Sequence, residues 1–222
     1  MTSVITKKQI LILLGAPGCG KGSQAALIKK KFKIPHISTG DILRENIKQG
    51  TPLGLKAKEY IDRGELGPDS LVVDILFERV SEPDCSHGFI LDGFPRTLSQ
   101  GEILQKRLGN DAEIRAIYFD VSKETLLKRI LGRILCKNCG TSYHKSFAPP
   151  QIEGVCDICG SELYTREDDS EEVALNRLNV YQELTIPLLE FFKKLGQLQT
   201  LSCETSKEEV FTNLVKLISS NN

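Results

Sequence analysis

A chain of 222 residues is long enough for one well-formed core carrying small inserted modules. Its 29 Lys and Arg are matched by 29 Asp and Glu, so no global field draws it to nucleic acid or an anionic bilayer, and a bound anion must be gripped by a local cluster. The opening apolar run QILILL (9–14) is too short for a secretory leader and far too short to span a membrane, which points to a soluble, cytoplasmic protein.

Residues 9–14 read as a buried strand, and GAPGCGK (15–21) follows at once. Glycines there let successive backbone N–H groups turn inward, and the helix expected over 21–32 adds positive charge at its N-terminus. Lys21 can then reach terminal phosphates; Gly22 stands where such loops usually carry Ser or Thr, with Ser23 next. Phosphate binding is the expectation from this loop. ISTGDILR (37–44) closes a short apolar segment and opens a helix, offering hydroxyls, a capping aspartate and Arg44.

A helix is expected over 71–80 and a buried strand over 88–91, ending in Asp92. A carboxylate at that end of a parallel strand can orient magnesium-bound water. Arg96 on the next turn can fork onto phosphate oxygens, and Gln100 offers both donor and acceptor to a base edge. A helix over 97–108, a strand over 114–119 and a helix over 123–134 follow, the last placing Arg129 and Arg133 on one face. A long helix over 171–195 carries Arg177, Asp168 and Asp169 are read as its start, and 198–201 is a last strand. Apolar strands separated by helices give an α/β fold with a parallel sheet covered on both faces.

The stretch 135–165 breaks this rhythm, being rich in Gly, Pro, Cys and polar residues. It carries Cys136-Lys-Asn-Cys139 and Cys156-Asp-Ile-Cys159, each second cysteine followed by glycine. This spacing is a tetrahedral metal signature, and four protein ligands make a closed, structural zinc site. His144 is a spare ligand that a complete cysteine set makes unnecessary. His36 and His87 have structural or surface roles, and Cys19, Cys85 and Cys203 are read as small buried hydrophobes, Cys19 being the exception to watch because it lies inside the glycine loop. A nucleic-acid-binding ribbon would need basic and aromatic residues across the insert; Lys137 and Lys145 are opposed by Glu153 and Asp157. A GTPase or motor would need a base-reading motif that is not found.

Taken together, GAPGCGKGSQ (15–24), ISTGDILR (37–44), LDGFPRTLSQ (91–100), KRILGR (128–133) and YTREDDSEE (164–172) closely resemble the adenylate kinase family, in that order and across essentially the whole chain. The resemblance implies a P-loop three-layer fold with a five-stranded parallel sheet, a helical AMP-binding insert at 38–67 and a small zinc-ribbon-like lid at 132–169. The core would be 1–37, 68–131 and 170–222. It implies reversible phosphoryl transfer, ATP plus AMP giving two ADP, for adenine nucleotide balance and purine salvage. Mg2+ would enter with ATP, and no nucleic-acid or membrane partner and a monomeric state are implied.

By the same resemblance, Gly18, Cys19, Gly20, Lys21, Gly22 and Ser23 hold the ATP phosphates, with Ser142, Tyr143 and Thr205 near its adenine. Thr39, Arg44, the backbone of Glu65, Leu66 and Gly67, then Gly93, Phe94, Pro95, Arg96 and Gln100 hold AMP, and the Phe94–Pro95 bond is cis. Arg129, Arg133, Arg166 and Arg177 converge on the phosphoryl groups, with Asp168 and Asp169 fixing them. A UMP or CMP kinase is the near alternative; Thr39 and the 97–100 pattern favour adenine.

Overall fold

The computed structural model describes residues 7–108 and 111–219; residues 1–6, 109–110 and 220–222, which the expected core segments include, lie outside the described residues. Five strands form one parallel sheet: β1 (Lys8–Leu14), β2 (His36–Ser38), β3 (Gly88–Asp92), β4 (Ala112–Asp120) and β8 (Leu198–Ser202), in the order β2-β3-β1-β4-β8. The continuous apolar run of β1 is explained by its central place. Ile10, Ile12 and Leu14 face one core with Phe89, Leu91 and Phe192, while Leu11 and Leu13 face another with Ile28, Ile117 and Phe119. Alternate residues thus serve opposite faces, and helices cover both.

Register decides where the loops meet. Leu13 and Ser38 both pair with Asp92, so the carboxyl ends of β1, β2 and β3 finish in one row. The chain segments leaving that row are the glycine loop, the helix start at Thr39 and the turn after Asp92. This is the crevice where open parallel sheets place ligands.

Helix α1 (Lys21–Phe32) follows β1. After β2, α2 (Thr39–Lys48) starts on Ser38, whose hydroxyl accepts from Asp41 N at 3.2 Å. Its hairpin partner α3 (Pro52–Arg63) is capped by Thr51, carries Pro52 at its first position and ends on Gly64 at φ 71°. The two helices touch so closely that a Cβ on Gly54 would lie 2.1 Å from Asn46 O. α4 (Asp69–Val80), α5 (Leu98–Leu108) and α9 (Lys207–Ser219) complete the layers with those below.

Three expectations are corrected. Helix α6 (Lys123–Leu131) stops at Gly132 instead of running to residue 134, and Arg133 opens strand β5 (Arg133–Cys136). A Cβ on Gly132 would sit 2.2 Å from the His144 ring, which closes the helix end through Nε2 to Lys128 O at 3.1 Å. Arg129 and Arg133 therefore do not share a helix face. Second, Ser170, not Asp168 or Asp169, caps α7 (Glu171–Val180), accepting from Val173 N; the two acids form a 3-10 turn before it. Third, the helix expected over 171–195 is broken. A π turn (Tyr181–Thr185) separates α7 from α8 (Pro187–Lys194), because Pro187 brings no N–H and the ladder shifts, Ile186 N donating to Tyr181 O.

The cysteine-bearing stretch is a second, three-stranded antiparallel sheet of β5, β6 (Ser142–His144) and β7 (Leu163–Tyr164). Its apolar interior is small: Tyr143 and Leu163 join Cys136 and Cys156, with Ile134 against them.

Candidate active site

The glycine loop has the strained backbone its sequence requires. Gly18 and Gly20 hold φ 83° and 99°, and a Cβ on Gly18 would meet Leu126 O at 2.9 Å. No side chain caps α1, so its first N–H groups are left for an anion. Lys21 Nζ donates to Gly15 O at 2.6 Å and Ala16 O at 3.0 Å, and lies 3.3 Å from the buried Cys19 thiol. Gly22 leaves room for Asp92, whose Oδ2 would be 3.4 Å from a Cβ there. A Ser or Thr side chain at position 22 would point at that carboxylate.

His36, expected to be structural or on the surface, is half-buried with Nε2 at 3.4 Å from Asp92 Oδ2. Burial pushes the Asp92 carboxyl up, but the His36 contact and the charges of Lys21, His36 and Arg96 outweigh it and hold the group below the ordinary carboxylate value. His87 is exposed.

Beyond Asp92 the chain turns through Gly93 at φ 80° and a cis Phe94–Pro95 bond. A Cβ on Gly93 would lie 2.9 Å from Arg96 Nη2. Gly93 O accepts from Thr39 Oγ1 at 2.9 Å and from Arg96 Nε at 2.8 Å, joining the two loops. Thr185, in the π turn, holds Arg96 O at 2.9 Å.

This turn floors a cleft between the sheet and the α2–α3 hairpin. Thr39, Arg44, the 65–67 segment, Gly93, Arg96, Gln100, Arg166 and Arg177 all line it, as does Asp168. Four guanidiniums on one small cleft repel one another. Arg96 is pushed below its ordinary value by burial, opposed by Asp92 and reinforced by Arg44 and Arg166. Arg177 is pushed down to about 10, again by burial first, opposed by Asp168. Such a ring is relieved by a bound anion.

Acids hold the ring in place. Arg166 Nε donates to Asp168 at 2.7 Å, Arg133 Nε to Asp169 at 2.8 Å, and Arg177 Nη1 reaches both acids at 3.0–3.2 Å. Arg44 pairs with Asp41. The hairpin is moored to α7: Asn176 donates to Arg63 O at 2.5 Å, and a Cβ on Gly64 would strike the Arg177 stem and Val173 O, each at 2.9 Å. Arg129 lies apart from this cleft, donating to Cys203 O at 3.0 Å beside α6. Thr205 is exposed in the bend that follows.

The four sulfurs of Cys136, Cys139, Cys156 and Cys159 lie within 4.8 Å of one another. Pairs at 3.4 and 3.6 Å are close to the ~3.8 Å edge of a tetrahedron with 2.3 Å metal–sulfur bonds. The two knuckles repeat one backbone pattern: Gly140 N to Cys136 O and Gly160 N to Cys156 O, with Gly140 and Gly160 at φ 69° and 70°. Hydrogen bonds from Ser161 hold the Cys159 thiol at about 5, a thiolate ready for a cation. The residues therefore fit a tetrahedral metal. His144 stays out of the cluster: its Nδ1 accepts from Ser146 N and Phe147 N, both at 3.0 Å. The Tyr143 ring also points inward, its hydroxyl 3.5 Å from Cys156 Sγ and accepting from Asp157 N.

The adenylate kinase family profile matches residues 13–197, taking in the glycine loop, the arginine cleft and the cysteine module. The chain belongs to the adenylate kinase family. It is 53% identical over 206 residues to the adenylate kinase of Caldicellulosiruptor bescii, covering 89% of this chain and 95% of that one. It is 50% identical to the adenylate kinase of Carboxydothermus hydrogenoformans (92% and 96%) and 49% identical to that of Clostridium tetani (94% and 97%). As an adenylate kinase family member it is a phosphotransferase of the nucleoside monophosphate kinase class. Motif spacing misses Asp69 and His36, because their partners Gln100 and Asp92 belong to other elements, and Asp41, read as a capping aspartate, pairs instead with Arg44 while Ser38 caps α2.

Proposed function

We propose that the chain moves the terminal phosphoryl group of ATP onto AMP, reversibly, giving two ADP, in adenine nucleotide balance and salvage. The observation that carries this reading is the cleft on which Arg44, Arg96, Arg166 and Arg177 converge, one residue beyond the Asp92 that adjoins the glycine loop. Two anionic nucleotides meeting head to head need that many fixed cations.

In this reading Gly18, Cys19, Gly20, Lys21, Gly22 and Ser23 hold the ATP phosphates. Lys21 leaves its loop carbonyls for a phosphate oxygen. Magnesium arriving on ATP supplies charge neutralisation, and Asp92 is the carboxylate placed to orient its water. Arg44 and Arg96 bind the AMP phosphate; Thr39, Gln100 and the backbone of Glu65–Gly67 with Gly93, Phe94 and Pro95 receive its nucleoside. Arg129, Arg133, Arg166 and Arg177 balance charge on the group in flight. Ser142, Tyr143 and Thr205 border the adenine of ATP.

Residues 38–67 serve as the AMP-binding unit and 132–169 as a lid on a core of 1–37, 68–131 and 170–222. Closure aligns the AMP oxygen with the γ-phosphorus and excludes water, the competing acceptor. No general base is needed, because positioning and electrostatics carry phosphoryl transfer. Zinc held by Cys136, Cys139, Cys156 and Cys159 stands in for the core that the lid lacks. A monomer in the cytoplasm is the proposed setting; no described helix is long and apolar enough to cross a membrane.

A coupled assay with ATP and each nucleoside monophosphate tests the reading, alongside binding of a linked ATP–AMP mimic. AMP should be the preferred acceptor and the mimic should bind more tightly than either nucleotide. Faster turnover of UMP or CMP would overturn it.

A further inference from the structure

Asp69 opens α4 and faces the turn after β3. Its Oδ1 accepts from Gln100 Nε2 at 2.7 Å and its Oδ2 from Thr97 Oγ1 at 2.9 Å. On the other side of the same amide, Gln100 Oε1 accepts from the Arg96 backbone N–H at 2.8 Å. Gln100 is 2% exposed and lines the cleft.

These partners leave the amide one orientation. A backbone N–H only donates and a carboxylate only accepts. Turning the amide over would set N–H against N–H and oxygen against carboxylate. Losing the charged bond alone disfavours the turned form by roughly ten- to a hundredfold. The pinned amide still has one N–H and one lone pair to spend on a base.

Purines differ in the order of these groups. A 6-aminopurine shows an acceptor at N1 beside a donor at N6, whereas a 6-oxopurine shows a donor at N1 beside an acceptor at O6. A freely turning amide matches either edge. A pinned one matches a single order, because the sugar and phosphate fix which edge atom lies where.

We propose that Asp69 is a specificity-determining positioning residue: with the Arg96 N–H it pins the Gln100 amide, so that the cleft accepts a 6-aminopurine monophosphate and rejects a 6-oxopurine one. This rests on the reading that Gln100 faces the acceptor base. Asp69 touches no nucleotide in this scheme and acts only through Gln100.

The test compares kcat/KM for AMP and IMP, with ATP as donor, in the parent protein, Asp69→Asn and Gln100→Ala, with melting curves for each. Asn at 69 can pair with either orientation of the amide, leaving the Arg96 N–H as the sole bias. The AMP-to-IMP ratio should fall about tenfold or more in Asp69→Asn while KM for ATP stays put. A merely structural Asp69 would weaken both acceptors alike and leave the ratio unchanged. An unchanged ratio in folded Asp69→Asn, with a collapsed ratio in Gln100→Ala, overturns the pinning while keeping Gln100 as the base reader. An unchanged ratio in Gln100→Ala removes the base reading itself, and the proposal with it. If Asp69→Asn does not fold, Thr97→Val, which deletes the donor to Oδ2, should lower the ratio in the same direction, and no change there overturns the proposal.

Discussion

Arg177 Nη1 lies 3.0 Å from Asp169 Oδ1, and the Asp169 side chain has no exposure to solvent. Arg133 holds the other oxygen, so one carboxylate joins the start of the cysteine module to α7. Asp169→Asn would leave two guanidiniums short of a counter-charge. Breaking a buried pair costs about 3 kcal/mol, which for a chain of this size lowers the melting temperature by about 6–12 °C. Melting curves check the stability cost, and a fall in kcat should accompany it. A variant that melts like the parent would show the pair to be dispensable.

Acid should loosen the same cluster. Burial pushes Asp168 up, but the hydrogen bond and charge of Arg166, with the charges of Arg177 and Arg44, more than offset it and hold the carboxyl at about 2. The folded value is depressed, so its stabilisation is present above the unfolded value of about 3.9 and is lost as pH falls through about 2. That window is worth on the order of 2 kcal/mol. Melting temperature followed from about pH 5 down to about pH 2 should fall less steeply in Asp168→Asn than in the parent. Parallel slopes would remove Asp168 from the acid response.

Arg96→Ala should lower kcat by roughly a hundred- to a thousandfold, the usual cost of a donor aimed at developing charge. Its backbone N–H and carbonyl keep their partners Gln100 and Thr185, so the turn should persist and the melting temperature should move little. Turnover within threefold of the parent would take Arg96 out of the machinery (about 0.7 kcal/mol of barrier).

Cys156→Ser should lower both bound metal and melting temperature, with the loss concentrated in the cysteine module. Metal supplies about 10–16 kcal/mol of apparent folding energy in small zinc modules. Here, among the described residues, only Tyr143, Leu163 and Ile134 pack with Cys136 and Cys156, too few to replace it. Activity measured well below the melting point should survive better than stability does. Equal metal content in variant and parent would refute the assignment.

Much of this is legible in the sequence. Loop residues such as Gly18, Lys21 and Gly93 to Arg96 are fixed by local backbone demands, and local demands leave spacing signatures. Strands β1, β3, β4 and β8 are legible as apolar runs, β1 because it is apolar on both faces, whereas the short β2 and the three strands of the cysteine module are not. What escaped is what depends on contacts distant in sequence. Helix periodicity carries 123–131 onward to Ile134, since nothing in KRILGR announces that the His144 ring will occupy the space beside Gly132. His36 looked isolated because its partner, Asp92, belongs to the neighbouring strand. Asp69 belongs to no motif and precedes the helix expected over 71–80, and only folding brings it to Gln100.

The flush seat of Gly64 against Arg177, with Asn176 tying down Arg63, gears two parts of the molecule together. Swinging the α2–α3 arm must tug the stem of an arginine that lines the cleft, and pulling on that arginine must move the arm. A change as small as Gly64→Ser, at the cleft wall just before the Glu65–Gly67 segment, would thus work by leverage, spoiling monophosphate capture and arm posture in a single stroke.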